Sequence, residues 1–205
     1  MRQTGETWSC PAHGVLAPLW RVERASYEAF GAHLRRVGNF PTYLPWPLGP
    51  GWSVSDFAAV GGGAGVGTRA TMTCLTGTSQ ADGPVEVMVI SEEPGTGLGA
   101  RLAGLRSSDG AGQLDPGAEI GEGAAAVRVR VDQQFVGLRP VSISTELEEW
   151  DRSVLVGEAF GRWLWLIMRP SSAVLLLGPE WIVRDISTSG PQLVAVPFGG
   201  SSPGW

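Results

Sequence analysis

Segments of strand length follow one another along this chain through connections too short to hold a crossover helix, and that spacing limits the sheet it can build. Parallel neighbours need a dozen or more residues between them, whereas antiparallel neighbours can be joined by a tight turn. WSVSDFAAV (52–60) and RATMTCLT (69–76) alternate at period two, as half-buried strands do, and VEVMVI (85–90), apolar on both faces, reads as a central strand. AAVRVRV (125–131) sets Val127, Val129 and Val131 on one face and Arg128 and Arg130 on the other. RPVSIST (139–145) alternates less clearly. SVLVGEAF and RWLWLIM flank Gly161, and a Gly-Arg turn with glycine in the first central position suits a type II′ hairpin. WIVRDIS (181–187) and QLVAVPF (192–198) complete the set. The expected fold class is α+β, a mostly antiparallel sheet of about eight strands with two or three short helices.

The clearest helix runs from Ser26 to Val37. Tyr27, Phe30, Leu34 and Val37 fall at helical spacing, Ser26 can cap the start, and Gly38 can end it. Leu98–Leu105 and Ser171–Leu177 read as a second helix and a short helix or turn. FPTYLPWPLGPGW (40–52) carries four prolines, which forbid a helix and leave an extended segment lined with aromatic rings.

Glycine marks the organisation: 16 of the 30 glycines fall in residues 61–123, which also hold 8 acids against 3 arginines. GGGAGVG (61–67) and the run from 106 to 124 cannot bury enough apolar surface to offset backbone entropy. The expected organisation is an N-terminal segment over 1–24 and a single α+β domain over 25–205 with a mobile Gly-rich loop at 106–123. No internal repeat is evident.

A formal charge of -5 gives no broad basic field, so neither nucleic acid nor an anionic membrane is an expected partner. All 15 basic residues are arginine, which excludes a Schiff-base lysine, a Walker-type phosphate lysine and a lysine general base. The apolar run from Trp163 to Met168 is broken by Arg169 and Pro170, well short of the roughly 20 residues of a membrane span. MRQTGETWSCPAHG has no apolar core of a secretory signal, so the expected compartment is the cytoplasm. Cys10 and Cys74, the two cysteines, are then expected as free thiols.

Five features carry chemistry. Cys10 and His13 stand at a C-x-x-H spacing, half of a zinc ribbon, without a second ligand pair beside them. The run from Gly95 through Gly97 and Gly99 to Arg101 fits G-x-G-x-x-A between a strand and a helix, where backbone amides and the guanidinium could hold an anion. Glu92 and Glu93 lie beside it and would repel a phosphate, and no acidic residue closes a second parallel strand, so a turn capping a helix is the preferred reading there. Gly200 to Gly204 matches G-x-S-x-G, but no helix can follow its serine, and neither histidine has a Ser or Cys partner. Glu93 and Glu158 are weak candidates for an acid or base; Glu158 sits among apolar neighbours, where a carboxyl pKa can rise, although a solvent-facing or paired glutamate is the plainer reading. Finally, nine tryptophans, among them Trp46, Trp52, Trp163 and Trp165, with Tyr43, cluster around proline turns and one hairpin. Most are expected in the core, and a few on an exposed face would make a binding platform.

Three blocks, YLPWPLGPGW (43–52), EEPGTGLGARLAGL (92–105) and GEAFGRWLWLIMRP (157–170), together resemble an uncharacterised actinobacterial domain-of-unknown-function family over Cys10 to Gly200. Its members are sometimes labelled phosphotransacetylase by automatic transfer, a label this chain's motifs do not support. The resemblance implies a C-P-x-C knuckle followed by W-x-C-x-x-H-G; Trp8, Cys10, His13 and Gly14 match the second half only. It therefore implies a zinc ribbon that is degenerate or truncated, with zinc as a cofactor only if a cysteine knuckle lies upstream and none otherwise. It supplies no activity.

The expected function is a cytoplasmic domain without catalytic machinery that binds a protein or small ligand through Glu92, Gly95, Gly97, Gly99, Arg101, Tyr43 and Trp46. The alternative is an enzyme acting on an anionic acyl or phosphoryl substrate at the 92–101 loop. Convergence of Glu92, Glu93, Arg101 and Glu158 in one pocket favours the enzyme, and scatter favours the binding module.

Overall fold

The structure, a computed structural model, describes residues 2–4, 7–10, 14–16, 18–61, 67–105, 125–141, 151–178, 181–189 and 195–201, the first three stretches as backbone only. Strands β1 (Arg2–Thr4), β2 (Thr7–Cys10) and β3 (Gly14–Leu16) form a small antiparallel sheet. A ten-stranded sheet is built from β4 (Leu19–Arg21), β5 (Tyr43–Pro45), β6 (Ser53–Val60), β7 (Ala70–Ser79), β8 (Gly83–Glu92), β9 (Val127–Val131), β10 (Gln134–Pro140), β11 (Ser153–Ala159), β12 (Arg162–Arg169) and β13 (Ile182–Asp185). Its order is β4-β6-β7-β8-β12-β11-β10-β9-β13-β5, and every pairing is antiparallel except that of β13 with β9. The molecule is predominantly β, with helices α1 (Tyr27–Val37) and α2 (Leu98–Ala103) and a short 3-10 helix at Ser171–Leu176.

The expected eight strands are thus ten in the large sheet. Two were hidden by their length: β4 and β5 are three residues each, too short to show a period. The strand expected at 139–145 begins earlier, at Gln134; of the stretch expected at 192–198, Phe198 forms an isolated parallel bridge with Val54, and residues 192–194 lie outside the described residues. The Gly-rich loop at 106–123 also lies outside them.

Helix α1 forms where its caps and period predict. The Ser26 side chain accepts the Ala29 N–H, and the Gly38 N–H closes on Leu34 O at a φ of 61°. The sheet curls until its last strand crosses its middle: the hydroxyls of Thr71 and Thr73 donate to Pro41 O and Tyr43 O, both at 2.6 Å. Inside the curl lies a core of Phe30, Leu44, Phe57, Val87, Leu138, Leu164 and Leu166. A second core on the other face packs Met72, Met88, Ile90, Val156, Trp165 and Ile167 under α2. Burial on both faces corrects the half-buried reading of β6 and β7. Polar side chains that a one-faced strand would turn to water are covered here, and Asp56 is held by Arg21 through contacts of 2.8 and 2.6 Å. It also separates the fates of Trp163 and Trp165, which share a side of β12: Trp165 lies at 0% exposure beneath α2 while Trp163 is half-buried.

The hairpin between β11 and β12 pairs Ala159 with Arg162, so its central residues are Phe160 and Gly161, both at positive φ (54° and 76°). That is a type I′ turn with glycine second, not the type II′ turn with glycine first.

Candidate functional site

At the end of β8 stands a turn capping a helix, the reading preferred there over an anion cradle, and the chain supplies the anion itself. Glu92 is buried; one carboxylate oxygen accepts the amides of Leu98 (2.7 Å) and Gly99 (3.1 Å), and the other accepts Trp165 Nε1–H at 2.7 Å. The two amides belong to the first turn of α2, so Glu92 takes the position that a bound anion would occupy. Burial pushes its carboxyl above the ordinary range, against the pull of those three donors. Gly99 is needed for the same contact, because a Cβ there would lie 2.4 Å from the Trp165 ring. Gly95 and Gly97 hold the turn at positive φ, and Arg101 is exposed on α2. Glu93 pairs with Arg69 at 3.5 Å, with both side chains nearly half exposed, a pair worth little in water.

The Pro/Trp segment also faces inward. Tyr43 is 4% exposed, and burial together with Asp185 and Asp132 raises its pKa. Trp46 is half-buried against the first core, and Trp52 stacks edge-on with Trp181 over Gly77, where a Cβ would meet the Trp52 ring at 2.5 Å. Among the described residues every tryptophan is buried or half-buried. Glu158 is exposed on β11, across from Trp163. Glu92, Glu93, Arg101 and Glu158 are therefore a buried cap, a surface ion pair, an exposed cation and an exposed anion, and no described pocket joins them. His13 and the Cys10 side chain lie outside the described residues; among the described residues no group of three or more His, Cys, Asp or Glu could hold a metal ion.

Sequence reasoning passed over a different surface. On β9 the valines turn inward, and Arg128 and Arg130 are exposed, as the alternation predicts. Arg130 stands directly across from Phe135 of β10, a phenylalanine 73% exposed to water, and Arg128 stands across from Gly137. The next outward residue of β10 is Arg139. Beyond the end of β11, in the turn to β12, Phe160 is 49% exposed. Phe135, Arg128 and Arg130 thus lie exposed on the outer face of β9 and β10, with the partly covered Arg139 and the exposed Glu158 farther along it. Arg130 Nε–H donates to Asp132 O at 3.0 Å, which fixes its stem while its charge stays in water. Phe160 also carries strain: a bulky residue in the left-handed region costs on the order of 1 kcal/mol, and here 49% of the residue stays exposed. The readable signal was QFVGLR, whose Phe135 and Arg139 alternate with buried Val136 and Leu138.

Residues 2–204 match the model of a family of unknown function, DUF6758, and the chain belongs to that family. No curated protein and no solved structure matches it.

Proposed function

We propose that this member of DUF6758 is a binding module whose site is the outer face of β9 to β11, and that its partner is an extended protein segment carrying carboxylates and apolar side chains. The observation that supports it most is the pair formed by Arg130 and Phe135: an exposed ring 73% open to water beside an exposed cation, at the β9–β10 end of a sheet face that α2 covers only farther along, over Val156 and Trp165. Exposed apolar surface rimmed by charge marks interaction sites in soluble proteins. Two exposed arginines, Arg128 and Arg130, on a chain of net charge -5 select an acidic partner over a basic one. The internal occupation of the 92–105 amides weighs against an anionic small-molecule substrate there.

The test is fluorescence anisotropy with a labelled peptide of alternating glutamate and phenylalanine, a lysine counterpart of equal length and a single-stranded oligonucleotide. The glutamate peptide is expected to bind, and Arg128→Glu with Arg130→Glu is expected to weaken it about tenfold or more, equivalent to ~1.4 kcal/mol. Equal binding of both peptides, preference for the oligonucleotide, or an unchanged affinity in the double variant overturns the reading.

A further inference from the structure

At one end of the curl two polar groups lie covered and unanswered. Arg162, the first residue of β12, is partly buried with its guanidinium 4.7 Å over the Phe40 ring, and its Nε is enclosed with no hydrogen-bond partner. Ser91 of β8 is 2% exposed, and its Oγ likewise has no partner. The pairing of β12 with β8 brings them together. Ser91 stands across from Leu164, whose side chain points into the first core, and Arg162 lies two residues before Leu164 on the same side of the strand. A cross-strand diagonal of that kind spans about 7–8 Å between Cα atoms, within reach of an arginine.

Several neighbouring polar groups are already engaged, and Glu93, two residues beyond Ser91, pairs with Arg69 at 3.5 Å. The Thr71 hydroxyl, across β7 from Ser91, donates to Pro41 O. Asp185 accepts Thr42 N–H and Ser187 N–H at 3.0 Å, and Asp132 accepts Asp185 N–H at 3.0 Å. No ion pair joins Arg162 to either aspartate among the described residues. A covered guanidinium Nε–H and a covered hydroxyl, neither with a hydrogen-bond partner, each cost the fold desolvation energy that one oxyanion would return to both.

We infer that Arg162 and Ser91 form a site for a small oxyanion, carboxylate or phosphate, held by the guanidinium fork and the serine hydroxyl beside the Phe40 ring. The fork supplies bidentate donors to either anion, and the ring holds the guanidinium in place from below. This site lies apart from the β9–β11 face and does not depend on that face binding a protein.

Thermal unfolding in potassium phosphate, potassium acetate and potassium chloride at matched ionic strength tests it, since a ligand of the folded state raises the midpoint saturably. Phosphate or acetate is expected to raise the midpoint above chloride, and the one whose rise saturates and shrinks in Arg162→Gln names the anion, since general salt exclusion does neither. Arg162→Gln is expected to weaken the response at least tenfold, and Arg162→Lys, which keeps the charge and loses the fork, to weaken it less. Ser91→Ala gives a second signature that survives a poorly folded arginine variant: a higher midpoint in chloride, because an unsatisfied hydroxyl is gone, with a smaller rise in the oxyanion. Identical midpoints in all three salts, an undiminished response in Arg162→Gln, or a lower chloride midpoint in Ser91→Ala overturns the site.

Discussion

The loop at 92–105 and the outer face of β9 to β11 exchange the roles that their sequences suggest. The loop carries glycines, a helix start and an arginine, the vocabulary of anion binding, yet its amides close on Glu92 and its one large gap is filled by Trp165. The face reads as one amphipathic strand with Arg128 and Arg130 outward, and Phe135 of the next strand stands in water beside them. The difference lies in where the partners of the polar groups come from. A residue 73 positions away, Trp165, completes the Glu92 site from inside the chain, whereas nothing within the described chain covers Phe135.

The largest expected effect tests whether the loop is as closed as its geometry implies. Trp165→Ala is expected to cost about 3–5 kcal/mol, the usual range for emptying a buried tryptophan site. Glu92→Ala, which leaves two amides and an indole N–H buried without an acceptor, is expected to cost roughly 3 kcal/mol. Urea unfolding measures both. A loss under about 1 kcal/mol for Glu92→Ala would mean that water reaches those amides, and the contrast between loop and face would fail.

A second interior polar group sharpens the same point through pH. His33 on α1 is fully buried, stacked between Trp20 and Phe30 with ring centroids 5.7 and 5.8 Å away, and its Nε2 meets Thr42 Oγ1 at 3.3 Å while Nδ1 has no partner. Burial, with help from Arg36, pulls its pKa down to about 4. The folded state therefore holds the neutral ring while the unfolded chain takes up a proton below about 6.5, so stability falls as pH drops from 6.5 towards 4. The full loss is about 3 kcal/mol, from roughly 1.4 kcal/mol per pKa unit. Asp132, Glu86 and Glu92, raised by burial, act in the opposite direction over the acid range, so the measurement is the difference between the protein and His33→Leu. A difference in unfolding energy that stays flat from pH 7 to 4 would place His33 in contact with water.

Local chemistry in the sequence was a good guide wherever one segment determines the outcome. Ser26 and Gly38 set the limits of α1, and the alternation of Val127, Val129 and Val131 set the faces of β9. It failed where a second segment decides. Asp56 lies in a strand expected to be half-buried, yet Arg21 holds it and it is fully covered. Gly161 tolerates positive φ at either central position of a turn, so sequence cannot choose between the two hairpin registers; the pairing of Ala159 with Arg162 does. Of the candidate site, Arg128 and Arg130 were legible as an outward face, but Phe135 lay in a strand whose start was placed five residues too late.

Phe160 tests whether the face carries a cost for its exposed ring. Replacing it with asparagine, which adopts the left-handed conformation readily, is expected to stabilise the hairpin by about 0.5–1 kcal/mol. The same change should weaken binding of the acidic peptide, since it removes one of the two exposed rings. Stability and affinity would then move in opposite directions, which a purely structural phenylalanine would not produce. Loss of stability in Phe160→Asn would show that the ring packs on the fold and is not part of an open site.

The smallest expected change in stability is the one that separates the two regions most sharply. Phe135→Ser removes a ring that the fold barely covers, so its unfolding energy should stay within about 0.5 kcal/mol of the parent. Arg128→Glu should behave alike, because its side chain is exposed opposite a glycine. Both should nonetheless weaken the glutamate peptide, Phe135→Ser at all ionic strengths and Arg128→Glu mainly at low salt, where an exposed charge is least screened. Chemical denaturation and anisotropy on the same preparations give the two numbers together. If Phe135→Ser destabilises by more than about 1.5 kcal/mol, the ring is covered by the chain in solution, and the outer face would belong with the 92–105 loop as a surface the protein completes for itself.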